Sequence, residues 1–236
     1  MIIDKKVLLD FKKHHDKDFL SAFINIEKFN PILFNNFESH LWHKKQVEKR
    51  CVYKYVYEYV LRHFPNKKES VLDIGGGITA FTTVLAAGTK YTLCEPQLTK
   101  YDLHNINTFL RKKNDKITLI TKDWLTINTK YDCIIANDIF PNVDQRLSMF
   151  LKHFIPRCKT MRLSLTYYNN DKFYVAKRDC GEVLTVKAWD AGDLYRVLKP
   201  YEDRLLEGVE LKAMEKATSI FKNGRKVMVI KMIGNL

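Results

Sequence analysis

Three consecutive glycines, Gly75–Gly77, constrain the fold of this chain more than any other feature of its sequence. They follow Ser70–Ile74, an apolar run typical of a buried strand, and precede Phe81–Ala87, an apolar segment with helical character. Glycines at such a junction allow a tight turn and a close approach of the backbone to a ligand, and the helix N-terminus offers free N–H groups. The sequence therefore predicts a ligand-binding unit of strand, turn and helix.

The alternation of strands and helices continues to the end of the chain. Further strands are predicted over Tyr91–Cys94, Ile117–Thr121, Tyr131–Ala136, Thr160–Leu165, Val183–Ala188 and Val227–Met232. Further helices are predicted over Tyr101–Lys112, Gln145–Phe154 and Ala191–Leu198. This pattern is typical of an α/β protein with a doubly wound, mostly parallel sheet, whose ligands bind beyond the carboxyl ends of the strands. We therefore expect the functional residues at those strand ends.

The first 66 residues have a different pattern and are predicted to be helical. Apolar residues recur at three-to-four spacing from Val7 to Ile24, and a longer helix is predicted over Glu38–His63. The expected division is an N-terminal helical lid or substrate region, residues 1–66, and a ligand-binding domain, residues 67–236.

The predicted lid is rich in aromatic side chains, namely Phe34, Phe37, Trp42, Tyr53, Tyr55, Tyr57 and Tyr59. Tyr53 and Tyr57, together with Lys45 or Arg50, are candidates for contact with a ligand or a substrate. Packing in the core is the alternative interpretation of the aromatic residues.

Composition narrows the partners of the protein. The chain has 236 residues, with 40 Lys+Arg against 27 Asp+Glu and a net charge of +13, which raises a nucleic acid as a candidate partner. The basic residues are spread along the chain, which favours a solvated basic surface. No apolar stretch approaches the roughly 18 residues of a membrane span, and the N-terminal segment lacks the apolar core of a signal peptide. We expect no membrane partner and a cytoplasmic location.

Neither the cysteines nor the histidines predict a metal site. The five cysteines are widely spaced without a CxxC pair, which favours buried thiols. The seven histidines show no HxH or HExxH spacing, and His40 and His43 are expected at the surface or at helix caps. We therefore expect no metal.

The glycine run is compatible with two kinds of ligand. Gly75, Gly77 and Ala80 satisfy G-x-G-x-x-A, and Glu95 follows Gly75 by 20 residues, as in sites for a nicotinamide or flavin dinucleotide. Asp73 favours another ligand, because a carboxylate repels a nearby pyrophosphate but attracts a cationic group such as an ammonium.

The segment VLDIGGGIT resembles the first motif of the class I S-adenosylmethionine-dependent methyltransferases, hydrophobic-x-(D/E)-x-G-x-G-x-G. Thr79 stands where that motif has its last glycine, a departure from the pattern. The resemblance extends over about residues 68–236. It implies a Rossmann-like sheet of seven strands with an antiparallel tail around Val227–Met232, with S-adenosylmethionine (SAM) as donor and S-adenosylhomocysteine (SAH) as product.

The resemblance also implies roles for residues at successive strand ends. Glu95 matches the acidic residue that binds both ribose hydroxyls. Asp123 and Trp124 match a pair of which the first binds the adenine amino group and the second packs on the ring. The full set of cofactor-binding residues predicted in this way is Asp73, Gly75, Gly76, Gly77, Thr79, Glu95, Pro96, Asp123, Trp124 and Asn137.

Two residues are candidates for catalysis, Asp138 after the fourth of these strands and Tyr167 after the fifth. The sequence from Asn137 to Phe140, NDIF, resembles the N-P-P-F tetrad of amino-methylating enzymes, but Asp138 and Ile139 replace both prolines, so that chemistry is not carried over. The resemblance implies methyl transfer to a small molecule or a peptide. Methylation of RNA or DNA and transfer of the donor's aminocarboxypropyl group remain alternatives. An NAD-dependent oxidoreductase and a non-catalytic binding domain are less favoured.

Overall fold

The computed structural model describes residues 1–28, 30–62, 69–111, 117–177 and 183–236. The helices are α1 (Lys5–His14), α2 (Asp16–Glu27), α3 (Pro31–Phe34), α4 (Glu38–Lys45), α5 (Val47–Arg62), α6 (Ala80–Gly88), α7 (Lys100–Arg111), α8 (Leu147–Phe154), α9 (Ala191–Leu198) and α10 (Leu211–Lys216). The strands are β1 (Ile2–Ile3), β2 (Ser70–Ile74), β3 (Lys90–Cys94), β4 (Thr118–Ile120), β5 (Tyr131–Phe140), β6 (Cys158–Tyr167), β7 (Lys172–Lys177), β8 (Val183–Ala188) and β9 (Lys226–Ile233).

A mixed sheet of seven strands organises the molecule, in the order β1-β9-β6-β5-β2-β3-β4. Strands β2 to β6 pair in parallel, whereas β9 is antiparallel to β6 and β1 is antiparallel to β9. The predicted α/β class, with a mostly parallel sheet and an antiparallel tail, is confirmed. The chain leaves β2 toward β3 and β4 and returns to β5 on the other side of β2, so a switch point lies beside β2, where ligands of such sheets bind.

One predicted strand belongs elsewhere. Val183–Ala188 has the predicted bounds, but it pairs with β7 in a separate antiparallel hairpin and not with the main sheet. The edge of the main sheet is occupied instead by Ile2–Ile3, which pairs with β9 through Ile2 and Met228. The alternation of apolar and polar residues predicts that a segment forms a strand, but it does not predict which other strand pairs with it. The sequence therefore could not assign either pairing.

The predicted long helix over Glu38–His63 is two helices. Gln46 has an extended backbone, with φ −118° and ψ 110°, and separates α4 from α5. Arg62 is the last described residue of α5, and the predicted end of the helix at His63 lies outside the described residues, as does the predicted domain boundary at residues 66 and 67. The break lets α4 approach the glycine loop while α5 packs against the sheet.

The side chains of each strand alternate between two hydrophobic clusters, one on each face of the sheet. Val71 of β2 joins the cluster that contains Phe11 and Phe23 of the N-terminal helices. Leu72 joins the cluster of the opposite face, with Phe150 of α8. By the same alternation Asp73 faces the N-terminal helices, so this region and the sheet share one core.

Two further features concern the class of protein. Among the described residues, no helix is both long enough and apolar enough to cross a membrane. Cys51, Cys94, Cys133 and Cys158 are free and buried, as expected for structural thiols, and Cys180 lies outside the described residues.

Candidate functional site

A cavity of about 450 Å³ lies beyond the carboxyl ends of β2, β3 and β5. Its volume falls in the range of sites for small molecules. Residues from several segments of the chain line it, among them Phe37, Glu38, Ser39, Trp42, His43, Lys49, Gly75, Gly76, Gly77, Glu95, Leu98, Asn137, Asp138, Val143 and Arg225. The predicted position of the site at the strand ends therefore coincides with a cavity.

The glycine loop is shaped by backbone conformations and contacts that larger residues would disturb. Gly75 and Gly77 have φ values of +66° and +63°, in the region that favours glycine. The N–H of Gly75 donates a hydrogen bond of 2.8 Å to the carbonyl of Cys94, at the end of β3. A Cβ atom on Gly77 would overlap the hydroxyl of Ser39 on α4. The loop is thus packed tightly between the sheet and α4.

Asp73 lies directly beneath this loop and is 1% exposed. Its Oδ2 accepts hydrogen bonds of 2.7 Å from the hydroxyls of Tyr57 and Tyr91, whereas its buried Oδ1 has no hydrogen-bond partner. A Cβ on Gly76 would overlap the carboxylate, which shows how close the charge lies to the cavity-lining backbone. A positively charged group in the cavity at Gly76 would therefore interact with this carboxyl group at short range.

Burial controls the ionisation of Asp73. It raises the pKa of the carboxyl to about 7, although the hydrogen bonds from Tyr91 and Tyr57 oppose the rise, and the charge of Glu95 adds to it. Burial also raises the pKa of both tyrosine hydroxyls well above its ordinary value, so both keep their protons and act as donors. The Asp73 carboxyl is therefore poised to change its charge near neutral pH.

The N-terminal helices contribute to the site, although not with all of the residues expected from the sequence. Tyr53 and Tyr57 are buried and do not line the cavity, in contrast to the ligand contact expected of them; Tyr57 contacts Asp73, and Tyr53 stacks on Tyr57 with ring centroids 3.9 Å apart. Arg50 is turned away from the cavity, because it donates hydrogen bonds of 2.7 and 3.1 Å to the carboxylate of Asp16. Lys45 does not line the cavity, but Lys49 does. The sequence did not identify Lys49, because it predicted one continuous helix over Glu38–His63. The break at Gln46 changes the direction of the chain, and this change decides which residues of α5 face the cavity.

The cofactor residues predicted around the glycine loop occupy three kinds of position. Glu95 lines the cavity, and its Oε1 accepts a hydrogen bond of 3.4 Å from the N–H of Gln97. Thr79 is buried and caps α6, with its N–H donating to Oγ1 of Thr82 at 2.8 Å. Pro96 lies exposed in the turn after β3 and does not line the cavity. Of these three, Glu95 is positioned to touch a ligand, and Thr79 orients the helix whose N-terminus faces the site.

The pair Asp123 and Trp124 does not line the cavity. Asp123 accepts a hydrogen bond of 2.7 Å from Arg146, and this bond holds the pKa of its carboxyl below the ordinary value. Trp124 is buried, donates from Nε1 to Asp144 at 2.7 Å and packs edge-on against Phe150. The structure thus gives this pair partners within the chain, which differs from the adenine contacts that the resemblance implies.

Asn137 and Asp138 both line the cavity at the end of β5. The hydroxyl of Ser164 links them, because it donates to Oδ1 of Asn137 and accepts from the N–H of Asp138, both at 2.7 Å. Asp138 has a φ of +64°, and the pairing of β5 with β6 is irregular between Asn137 and Phe140. The irregular backbone directs the Asp138 carboxylate toward Lys49 and Arg225.

The Asp138 carboxylate is surrounded by donors. Lys49 donates to Oδ2, Arg225 donates to both oxygens at 2.9 and 3.0 Å, and Asn142 and Thr166 each donate to Oδ1 at 3.2 Å. Burial alone would raise the pKa of Asp138, but Arg225 and Lys49 outweigh it and hold the pKa well below its ordinary value. This carboxylate is a poor proton acceptor, in contrast to the general base considered from the sequence.

Tyr167 is not placed for catalysis. Its side chain is fully buried, does not line the cavity, and donates a hydrogen bond of 3.3 Å to the carbonyl of Met214. The sequence placed Tyr167 near a strand end, which is correct, but the side chain points into the core between β6 and α10. We therefore correct the assignment of Tyr167 as a catalytic candidate.

His40 and His43 are buried and not at the surface. The ring of His40 stacks on Phe23, and its Nδ1 accepts a hydrogen bond of 3.2 Å from the N–H of Ala80 in the first turn of α6. His43 lines the cavity, and its ring bonds the carbonyl of Ser39 at 2.6 Å through Nδ1, which must therefore carry the proton. Burial lowers the pKa of both rings to about 4. The capping role expected for His40 is observed, although its partner lies in a distant helix.

Comparisons with known proteins identify the fold. No family model matches the chain, and no curated protein matches its sequence. Among solved structures, the chain is similar to magnesium protoporphyrin IX methyltransferase (ChlM) from Synechocystis PCC 6803 with bound SAM, with 15% identity, 78% of each chain covered and a TM-score of 0.50. It is also similar to the N-terminal domain of EvdMO1 in the presence of SAH and D-fucose, with 14% identity, 77% of this chain and 80% of that chain covered and a TM-score of 0.52. The chain therefore has the Rossmann-like methyltransferase fold.

Proposed function

We propose that this protein is a SAM-dependent methyltransferase that acts on a small molecule or a peptide. The observation that carries this proposal is the arrangement at the switch point of the sheet. A glycine loop and Glu95 line one cavity, and a buried carboxyl oxygen of Asp73 without a hydrogen-bond partner lies beneath Gly76. A donor with an ammonium and a sulfonium group fits such a site better than a pyrophosphate, because the nearby charge is negative.

The residues present fit this donor in most of its parts. The backbone of Gly75–Gly77 and the field of Asp73 would hold the amino acid end, and Glu95 would accept hydrogen bonds from the ribose hydroxyls. Leu98 and Val143 line the cavity and are our candidates for packing on the adenine ring, in place of Asp123 and Trp124.

SAM, when bound, supplies an electrophilic methyl group on a sulfonium sulfur. The residues of this chain would bind and orient the two substrates and exclude water, which is the main contribution a protein makes to such a displacement. Phe37, which immediately precedes α4, and Trp42 of α4 provide aromatic walls for this purpose. Asp138 would fix the positions of Lys49 and Arg225 through its ion pairs and would not take a proton from the acceptor.

Calorimetry on the purified protein tests the proposal. We expect SAM and SAH to bind and NAD not to bind. Asp73→Asn should weaken the binding of SAM by about fivefold or more, because the charge is removed while the shape is kept. The matched control is Asp203→Asn, a change of the same kind at an exposed position outside the cavity. Binding of NAD together with failure of both sulfur compounds would contradict the proposal.

Analysis of the reaction products separates the remaining alternatives. Incubation with labelled SAM and fractions of small molecules, peptides and RNA should place the label in the first or second fraction. SAH as the product indicates methyl transfer, whereas methylthioadenosine indicates transfer of the aminocarboxypropyl group. Label in the RNA fraction alone would support the nucleic acid alternative, and binding without any turnover would support a non-catalytic domain.

A further inference from the structure

The end of the cavity formed by Lys49, Asp138 and Arg225 contains more hydrogen-bond donors than it uses. Arg225 gives both of its bonds to Asp138 from one nitrogen, Nη1. Its Nε is buried without a hydrogen-bond partner, and its Nη2 donates to no described residue. The edge of a guanidinium that carries Nε and Nη2 is suited to bind a carboxylate or a phosphate through two parallel bonds.

Lys49 also has donors to spare. Its ammonium carries three N–H groups, of which the described hydrogen bonds use one, to Asp138. The ammonium lies 4.9 Å from the centre of the Trp42 ring, and both residues line the cavity. Two cationic side chains with unused donors therefore meet at one end of the site.

The surrounding contacts hold these donors in place. The ring of Phe221 lies 4.1 Å from the guanidinium carbon of Arg225 and limits its rotation. The Asp138 carboxylate is held in its present orientation, because Asn142 and Thr166 donate to Oδ1 while Lys49 donates to Oδ2. A buried charged donor without a partner, as Nε of Arg225 is, is costly, which favours a ligand that brings the missing acceptor atom.

We propose that Arg225 and Lys49 bind an oxyanion, a carboxylate or a phosphate, that the acceptor substrate carries. This inference rests on the proposed function, since it places the acceptor in the cavity of the donor. The unused donors support this inference more strongly than the net charge of the cavity does, because Glu38 also lines the cavity and its negative charge attracts Lys49. The substrate class is thus a small acid, held by its anionic group while another atom faces the donor.

Nuclear magnetic resonance on the SAH-saturated protein tests the inference, with acetate and inorganic phosphate as probes. We expect one probe or both to shift the Nε–H signal of Arg225 in a saturable way, and the probe that binds more tightly identifies the oxyanion. Arg225→Lys, which keeps the charge but loses the two-donor edge, and Lys49→Gln should each weaken that binding about tenfold or more, as followed by backbone amides. Lys199→Gln, an exposed charge change outside the cavity, should leave it unchanged.

The outcomes separate this inference from the proposed function. No saturable shift with either probe, or equal affinity in all variants, would overturn the oxyanion site. Thermal unfolding of each variant shows whether it is folded. If Lys49→Gln does not fold, Arg225→Lys still tests the site, because the new lysine keeps a cation beside Asp138. If SAH fails to bind while the probes still shift Arg225 in the free protein, the proposed function fails and the oxyanion site stands.

Discussion

The hydroxyl of Tyr57 donates a hydrogen bond of 2.7 Å to Oδ2 of Asp73. A residue of the N-terminal helical region thereby supports the carboxylate that lies beneath the glycine loop of the sheet. The expected lid region is therefore also a structural part of the site, and this contact leads to the first two predictions.

Tyr57→Phe should destabilise the protein. It removes one of the two donors to a buried carboxyl group, which should lower the free energy of unfolding by about 1–3 kcal/mol in a denaturant titration. The control is Tyr55→Phe on the same helix, where the hydroxyl makes no hydrogen bond to a described residue and the side chain is partly exposed. Its effect should stay below about 0.5 kcal/mol. Equal losses in the two variants would contradict the structural role of the Tyr57 hydroxyl.

The affinity for SAM should fall as the pH is lowered through 7. Burial raises the pKa of Asp73 to about 7, so the carboxyl loses its charge below that pH and no longer attracts a cationic ligand. If binding requires the ionised form, calorimetry should show a loss of up to about tenfold between about pH 8 and about pH 6. Asp73→Asn should bind more weakly and with a flatter pH profile. Parallel profiles for the two proteins would rule out Asp73 as the titrating group.

Gly77→Ala should disturb the glycine loop. The residue has a φ of +63°, and its added methyl group would overlap Ser39 on α4. We expect the free energy of unfolding to fall by about 1 kcal/mol or more and SAM binding to weaken. Gly208→Ala is the control, since a Cβ there meets no atom within 4 Å. Combining Gly77→Ala with Ser39→Gly should recover part of the loss, and no recovery would assign the effect to backbone strain alone.

Glu95 and Asp123 should differ in their effect on donor binding. Glu95→Ala should weaken SAM binding by about 1–3 kcal/mol, because the two ribose hydroxyls would lose the acceptor that we propose for them. Asp123→Ala should cost less than about 0.5 kcal/mol, because this side chain lies outside the cavity lining and is bound to Arg146. Calorimetry measures both. Similar losses would show that the bound state brings Asp123 to the adenine, as the resemblance implies.

His43 should contribute to unfolding in acid. Burial lowers its pKa in the folded protein to about 4, whereas the unfolded chain takes up a proton near the ordinary value of 6.5. Stability is therefore lost as the pH falls from 6.5 toward 4, by up to about 3 kcal/mol for this group. His43→Gln should lose less over this range than the wild type, whereas His104→Gln, at an exposed position, should not differ from it. An unchanged slope for His43→Gln would assign the acid sensitivity to another group.

The candidate site was only partly predictable. Glu95 and the glycines line the cavity as the sequence predicted, because their positions follow from short segments at strand ends. Lys49 and Arg225 were not predicted, since they reach Asp138 from positions 89 and 87 residues away in the chain. A basic residue in a helix or before a strand carries no local signal that it will face a distant carboxylate.

The sequence by itself determined the α/β class, the bounds of β2 and the turn of the glycine loop, because apolar periodicity and glycine conformation are properties of a few neighbouring residues. Only the tertiary structure decided that Ile2–Ile3 and not Val183–Ala188 completes the main sheet, and that Asp123 binds Arg146. Strand partners and side-chain ion pairs depend on which distant segments meet when the core packs. That meeting is a property of the whole folded chain, and no local pattern contains it.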